Sequence, residues 1–77
     1  MNKARRKTLE EIHARLLGCY ADLEQVKDEE QDAFDNLPES LQSSQKGETM
    51  EEYIYDIESV MDELDSIIAN LNDIIER

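Results

Sequence analysis

From Met50 to Ile75 the chain carries an apolar residue at every alternating step of four and three: Met50, Ile54, Ile57, Met61, Leu64, Ile68, Leu71 and Ile75. These are the a and d positions of a heptad, so the segment reads as an amphipathic helix with an unbroken seam. Immediately before each a position stand Tyr53, Val60, Ile67 and Ile74. This second column repeats every seven residues and runs beside the seam. It makes the apolar stripe wider than one partner helix can cover.

The first half of the chain follows the same logic. Leu9, Ile12, Leu16, Cys19, Leu23, Val26, Glu30, Ala33 and Leu37 step by three and four, and only Glu30 interrupts them. The flank after each d position holds His13, Tyr20, Lys27 and Phe34, a half-apolar column. The spacing predicts a helix over about residues 3–36. Asn2 and a Thr8/Glu11 capping box compete to start it, and the helix formers Lys3 to Lys7 favour the earlier start.

Between the two seams lies a linker over about residues 37–47. Pro38 disfavours helical geometry at Leu37, so the first helix is expected to stop near Asn36, which tolerates a left-handed cap. Pro38 can open a single turn through Gln42, with Leu37 and Leu41 plugging the hairpin end. Ser43 to Gly47 complete a polar connection. Ser44, or Thr49 with Glu52 three residues on, then caps a second helix over about residues 48–76.

The expected fold is all-α: one domain, residues 1–77, forming an antiparallel two-helix hairpin of coiled-coil type. Tyr53, Val60, Ile67 and Ile74, with Tyr20 and Phe34 opposite, would stay uncovered in a single hairpin. Two copies pairing into a four-helix bundle would bury them, so a homodimer is expected. Cys19 at d reads as a small core residue. Glu30 at a must find a hydroxyl, a cation or water, or mark where the helices splay. Gly18 falls on an outer position, where it costs helix stability.

Charge separates the function classes. There are 20 Asp and Glu against 8 Lys and Arg. Residues 22–77 hold 18 of the acids against Lys27, Lys46 and Arg77, a net of −15. Such a body repels phosphate backbones, so direct nucleic-acid binding is not expected, whereas a basic protein surface would be attracted. No apolar run approaches the length of a bilayer span, and none resembles a secretory signal. With one cysteine, the cytoplasm is the expected compartment.

Each candidate site has a plain alternative. Arg5, Arg6 and Lys7 could hold a phosphate, yet an antiparallel hairpin lays them beside the acidic C-terminal end of the second helix. Glu10 and His13 have the spacing of a di-iron ligand pair, but Glu10 falls on an outer position and no second pair exists. Glu48 with Glu51, and Asp62 with Asp65, resemble the magnesium-binding pairs of all-helical nucleotide pyrophosphohydrolases. They too fall on outer positions, and no nucleophile and base are arranged nearby. No enzyme activity, cofactor or metal is expected. Asp28, Glu29, Asp32 and Asp35 form the densest acid run, which lacks the glycine-directed turn of a calcium loop. With Glu52, Asp56, Asp62 and Glu63 they are the candidate partner-binding surface, and Tyr55 is an outer aromatic beside them.

The stretch Asp28-Glu29-Glu30-Gln31-Asp32-Ala33-Phe34-Asp35-Asn36-Leu37-Pro38-Glu39-Ser40-Leu41-Gln42, followed by Gly47-Glu48 and Met50-Glu51, resembles a group of small acidic helical-hairpin proteins of bacteriophages and prophages. Their members share a basic start, this linker and an acidic second helix. The resemblance implies a phage accessory protein in the bacterial cytoplasm that engages a host protein, such as a defence or nucleic-acid-handling factor. It implies no catalytic residues. Two further readings stand beside it: an oligomer sequestering a nucleotide signal through Arg5, Arg6 and Lys7, and a purely structural bundle.

Overall fold

A computed structural model describes residues 1–77 as three helices without strands: α1 (Lys3–Asp35), a single turn α2 (Glu39–Gln42) and α3 (Gln45–Ile75). α1 and α3 run antiparallel along a rod of 59 × 15 × 12 Å. Their pairing is fixed at the open end by Arg6, whose guanidinium donates to the backbone carbonyl of Ile75. A cation there meets the unsatisfied carbonyls and the negative pole of α3 together.

The helix ends follow local chemistry. Asn2 caps α1, its side-chain oxygen accepting from the amide of Arg5 at 2.8 Å. Thr8 takes no capping role, because its hydroxyl donates to the carbonyl of Ala4 inside the helix. Asn36 ends α1 in right-handed geometry (φ −84°, ψ −5°), not in the left-handed cap expected. Its amide donates to the carbonyl of Asp32 and the amide of Leu37 to that of Phe34, so the last turn closes without a positive φ.

The linker is shorter than expected, because Ser44 caps α3 and the helix begins at Gln45. Gly47 therefore belongs to the first turn of α3, where it is buried against the backbone of Leu41 and Gln42. Pro38 is the cap of α2, one position before the helical site expected for it. Leu37 is half-buried, but Leu41 is exposed and does not plug the end. The tie there is polar: the Gln42 amide donates to the carbonyls of Phe34 and Leu37 at 3.3 and 3.2 Å.

Along the rod, Ile54, Met61 and Ile68 of the α3 a column are the only buried apolar residues. The d residues Met50, Ile57, Leu64 and Leu71 are half-buried beside them. α1 differs from expectation. The residues it turns toward α3 are Leu9, Leu16 and Leu23 together with His13, Tyr20, Lys27 and Phe34, which are all half-buried. Cys19, Val26 and Ala33 are exposed, and of the d column only Ile12 is half-covered. Helix α1 thus packs through its a and e positions, not through a and d. The reason is area: Tyr20, Phe34 and the stem of Lys27 cover far more of α3 than Cys19 or Ala33 could. Cys19 is accordingly not a core residue, and Tyr20 and Phe34 are half-buried within the hairpin itself. Glu30 is half-buried on the seam, with no cation paired to it, and its carboxylate keeps contact with solvent.

Candidate interaction surfaces

An antiparallel helix pair has two long grooves, one on each side of the seam. On one side Tyr20 and Lys27 of α1 line a depression with Glu58, Met61 and Asp62 of α3. Nearer the closed end Gln31 and Phe34 line another with Glu51, Ile54, Tyr55 and Glu58. This groove is polar. Lys27, half-covered and 3.7 Å from Asp28, is the single cation among its carboxylates.

Helical geometry settles the other side. In each helix the e and b positions lie on one flank of the a column and the d and g positions on the other. Because the e and b residues of both helices meet in the polar groove, the d and g residues of both must share the opposite face. That face carries Ile12, Cys19, Val26 and Ala33 from α1, with the exposed g residues Thr8, Arg15, Asp22 and Glu29 along its outer edge. From α3 come the edge of the d column and Tyr53, Val60, Ile67 and Ile74. Tyr53, Val60 and Ile67 remain 58%, 49% and 53% exposed, and Val26 51%. The result is an apolar strip along most of the rod with nothing over it.

The α3 column of this face is legible in the sequence as steps of seven beside a filled seam. The α1 column is not legible there as a surface, because its members read as seam. The available signal is the bulkier column of His13, Tyr20, Lys27 and Phe34 one position further on, which offers α3 more covering area.

The eight candidate acids are all exposed, yet they do not form one face. Asp28 and Asp35 lie on the back of α1, and Glu29 and Asp32 turn toward the rim of the apolar strip. Glu52 lies on the back of α3, with Asp56 and Glu63 toward the same rim, and Asp62 borders the polar groove. A shallow depression along α1 alone runs past Tyr20, Glu24, Asp28, Glu29 and Asp32. The acids therefore wrap the closed half of the rod as a sleeve.

Arg5, Arg6 and Lys7 do not converge. Successive helical residues point about 100° apart. Arg6 is engaged with Ile75, while Arg5 and Lys7 are exposed on different sides. His13 is half-buried on the seam and Glu10 is exposed, as are Glu48, Glu51 and Asp65. No three His, Cys, Asp or Glu side chains come together as a metal site. No helix is long and apolar enough to cross a membrane. Comparisons with protein-family models, with curated proteins and with solved structures find no match for this chain.

Proposed function

We propose that this chain works by binding: hairpins associate through the apolar strip, and the acid sleeve around the closed half engages a protein with a basic surface. The observation that carries this reading is the uncovered strip of α1 d and α3 g residues, set against only three buried apolar side chains in the hairpin itself. A rod with so little core gains stability mainly by covering that strip. Each of Tyr53, Val60, Ile67 and Ile74 would contribute on the order of 1 kcal/mol when buried.

The partner's charge follows from the sleeve. Residues 20–63 carry 15 acids against Lys27 and Lys46, so an approaching basic surface is steered before contact. The resemblance to phage hairpin proteins supports a host protein of the bacterial cytoplasm as that partner, held or blocked without chemistry. The nucleotide-sequestering reading is weakened by the engagement of Arg6 with the carbonyl of Ile75.

The test is retention of host proteins from a bacterial lysate by the tagged chain over a salt series. Binding of any retained protein is then compared between wild type and the triple variant Asp28→Lys, Glu29→Lys, Asp32→Lys. Release at high salt and loss of binding in the variant are expected. Retention that ignores both salt and charge reversal rejects acidic-surface recognition.

A further inference from the structure

The closed and open halves of the hairpin differ sharply in charge. Arg6 lies beside Ile75, and Tyr20 and Lys27 share one depression with Glu58, Met61 and Asp62, so Cys19 on α1 lies within a turn of Glu63 and Leu64 on α3. A cut at that level leaves residues 1–19 and 64–77 in the open half, with 6 cations and 5 acids. Residues 20–63 form the closed half, with 2 cations and 15 acids. The rod is therefore near neutral at one end and carries −13 at the other.

Resting on the self-association just proposed, we infer that the occupant of the apolar strip is a second copy of this chain laid head to tail, with a two-fold axis crossing the strip at the level of Cys19 and Leu64. Face-to-face pairing of two hairpins allows two symmetric arrangements. An axis along the rod sets α1 over the second α3 and puts both closed halves together, −13 beside −13. An axis across the rod sets α1 over the second α1 and α3 over the second α3, each antiparallel. Every closed half then lies beside a near-neutral open half, and like-charge repulsion selects this arrangement.

The sequence of the strip fits that axis on both helices. On α3, Val60 falls opposite Ile67 of the second copy, Tyr53 opposite Ile74, and Ile57 opposite Leu71, all centred between residues 63 and 65. On α1, Ile12 falls opposite Val26 around Cys19. At the rim Arg15 falls opposite Asp22 of the second copy, and Arg5 lies near Glu29 and Asp32. On α1 one axis thus brings apolar partners and opposite charges into place together, while at the α3 rim it sets Glu63 beside its own copy. The whole face that holds the strip measures 59 × 15 Å, on the order of 900 Å² per copy, which is the size of a standard interface. The dimer presents its two acid sleeves at opposite ends, so it can engage two basic partners or two sites on one.

Two measurements test the arrangement on the full chain. The first is the distance between spin labels in the variant Cys19→Ser, Ser43→Cys, by pulsed electron resonance, with mass from light scattering on the same sample. A dimer with label separation near the 59 Å rod length supports the inference. A dimer whose labels lie within about 20 Å, as closed ends packed side by side would give, overturns it and leaves self-association standing. An unsubstituted chain that stays monomeric at every concentration by light scattering overturns both. The second is charge exchange: Arg15→Asp and Asp22→Arg should each weaken dimerisation by roughly three- to tenfold, and the double variant should recover most of the loss. A double variant as weak as the sum of the singles overturns the Arg15 to Asp22 pairing.

Discussion

A Cβ placed on Gly47 would overlap the carbonyl oxygen of Gln42 and lie 2.7 Å from that of Leu41. The first turn of α3 therefore rests directly on the backbone of the connecting turn, and only a residue without a side chain permits that approach. Gly47→Ala must push α2 away from α3 or unwind the α3 start. A loss of about 1 to 3 kcal/mol is expected, read by thermal unfolding followed by circular dichroism. Gly18 is the internal control: it is helical, and a methyl group there would meet nothing within 4 Å. Gly18→Ala should raise stability by up to about 1 kcal/mol, which for a chain of this size is several degrees in Tm. Equal signs for the two variants would contradict the close approach at Gly47.

The rotated packing of α1 gives an inverted order of sensitivity. Tyr20 is half-buried against α3 while its neighbour Cys19 is exposed. Tyr20→Ala and Phe34→Ala should therefore destabilise the hairpin by about 1 to 3 kcal/mol, and Cys19→Ala by less than about 0.5, when measured at concentrations too low for association. A hairpin more sensitive at Cys19 would restore the a and d pairing of α1.

Core and strip residues should separate by readout. Met61→Ala removes the most buried side chain of the rod and should cost about 2 to 4 kcal/mol at every protein concentration. Ile67→Lys alters a side chain that is 53% exposed, so helicity at low concentration should hold. What it should remove is the rise of Tm with concentration that an associating hairpin shows. The check is a set of melts over a hundredfold or so in concentration, and a wild type without that rise speaks against association.

At the open end, Arg6→Met keeps the apolar stem and deletes the bond to Ile75. The expected cost is about 1 kcal/mol. It should be local: amide exchange should quicken in the last turn of α3 and in the first turns of α1 while the middle of the rod is unchanged. Uniformly faster exchange would mean that the contact supports the whole hairpin.

At the closed end the two bonds from Gln42 replace an apolar plug. Gln42→Ala should lower stability by about 1 to 2 kcal/mol, since half-buried carbonyls of Phe34 and Leu37 each lose a donor. Leu41→Ala, at an exposed position, should change it by less than about 0.5 kcal/mol. Comparing the two by denaturant unfolding distinguishes a polar tie from an apolar one.

Much of the hairpin is legible in the order of residues. The filled a and d columns of α3 specify a helix whose a residues Ile54, Met61 and Ile68 are its core, and Pro38 specifies where the first helix stops. The exposure of Tyr53, Val60 and Ile67 also follows, because one partner helix cannot wrap a stripe that wide. Asn2, Ser44 and the early start of α1 are short-range capping choices, which depend on residues within one turn and can be read locally.

Only the tertiary structure decided which side of α1 meets α3. Leu9, Leu16 and Leu23 belong equally to an a and d seam and to an a and e seam, so periodicity leaves both open. The choice depends on how Tyr20, Lys27 and Phe34 fill the space beside Met61 and Ile54, a comparison of covered area that exists only once two helices are laid together. The same packing turns Cys19 and Val26 outward and completes the apolar strip, and it spreads the acids around the rod instead of along one face. Local chemistry and periodicity determine the helices and their ends. The rotation of one helix about its axis is set by its neighbour's shape, and with it which residues are left for a partner.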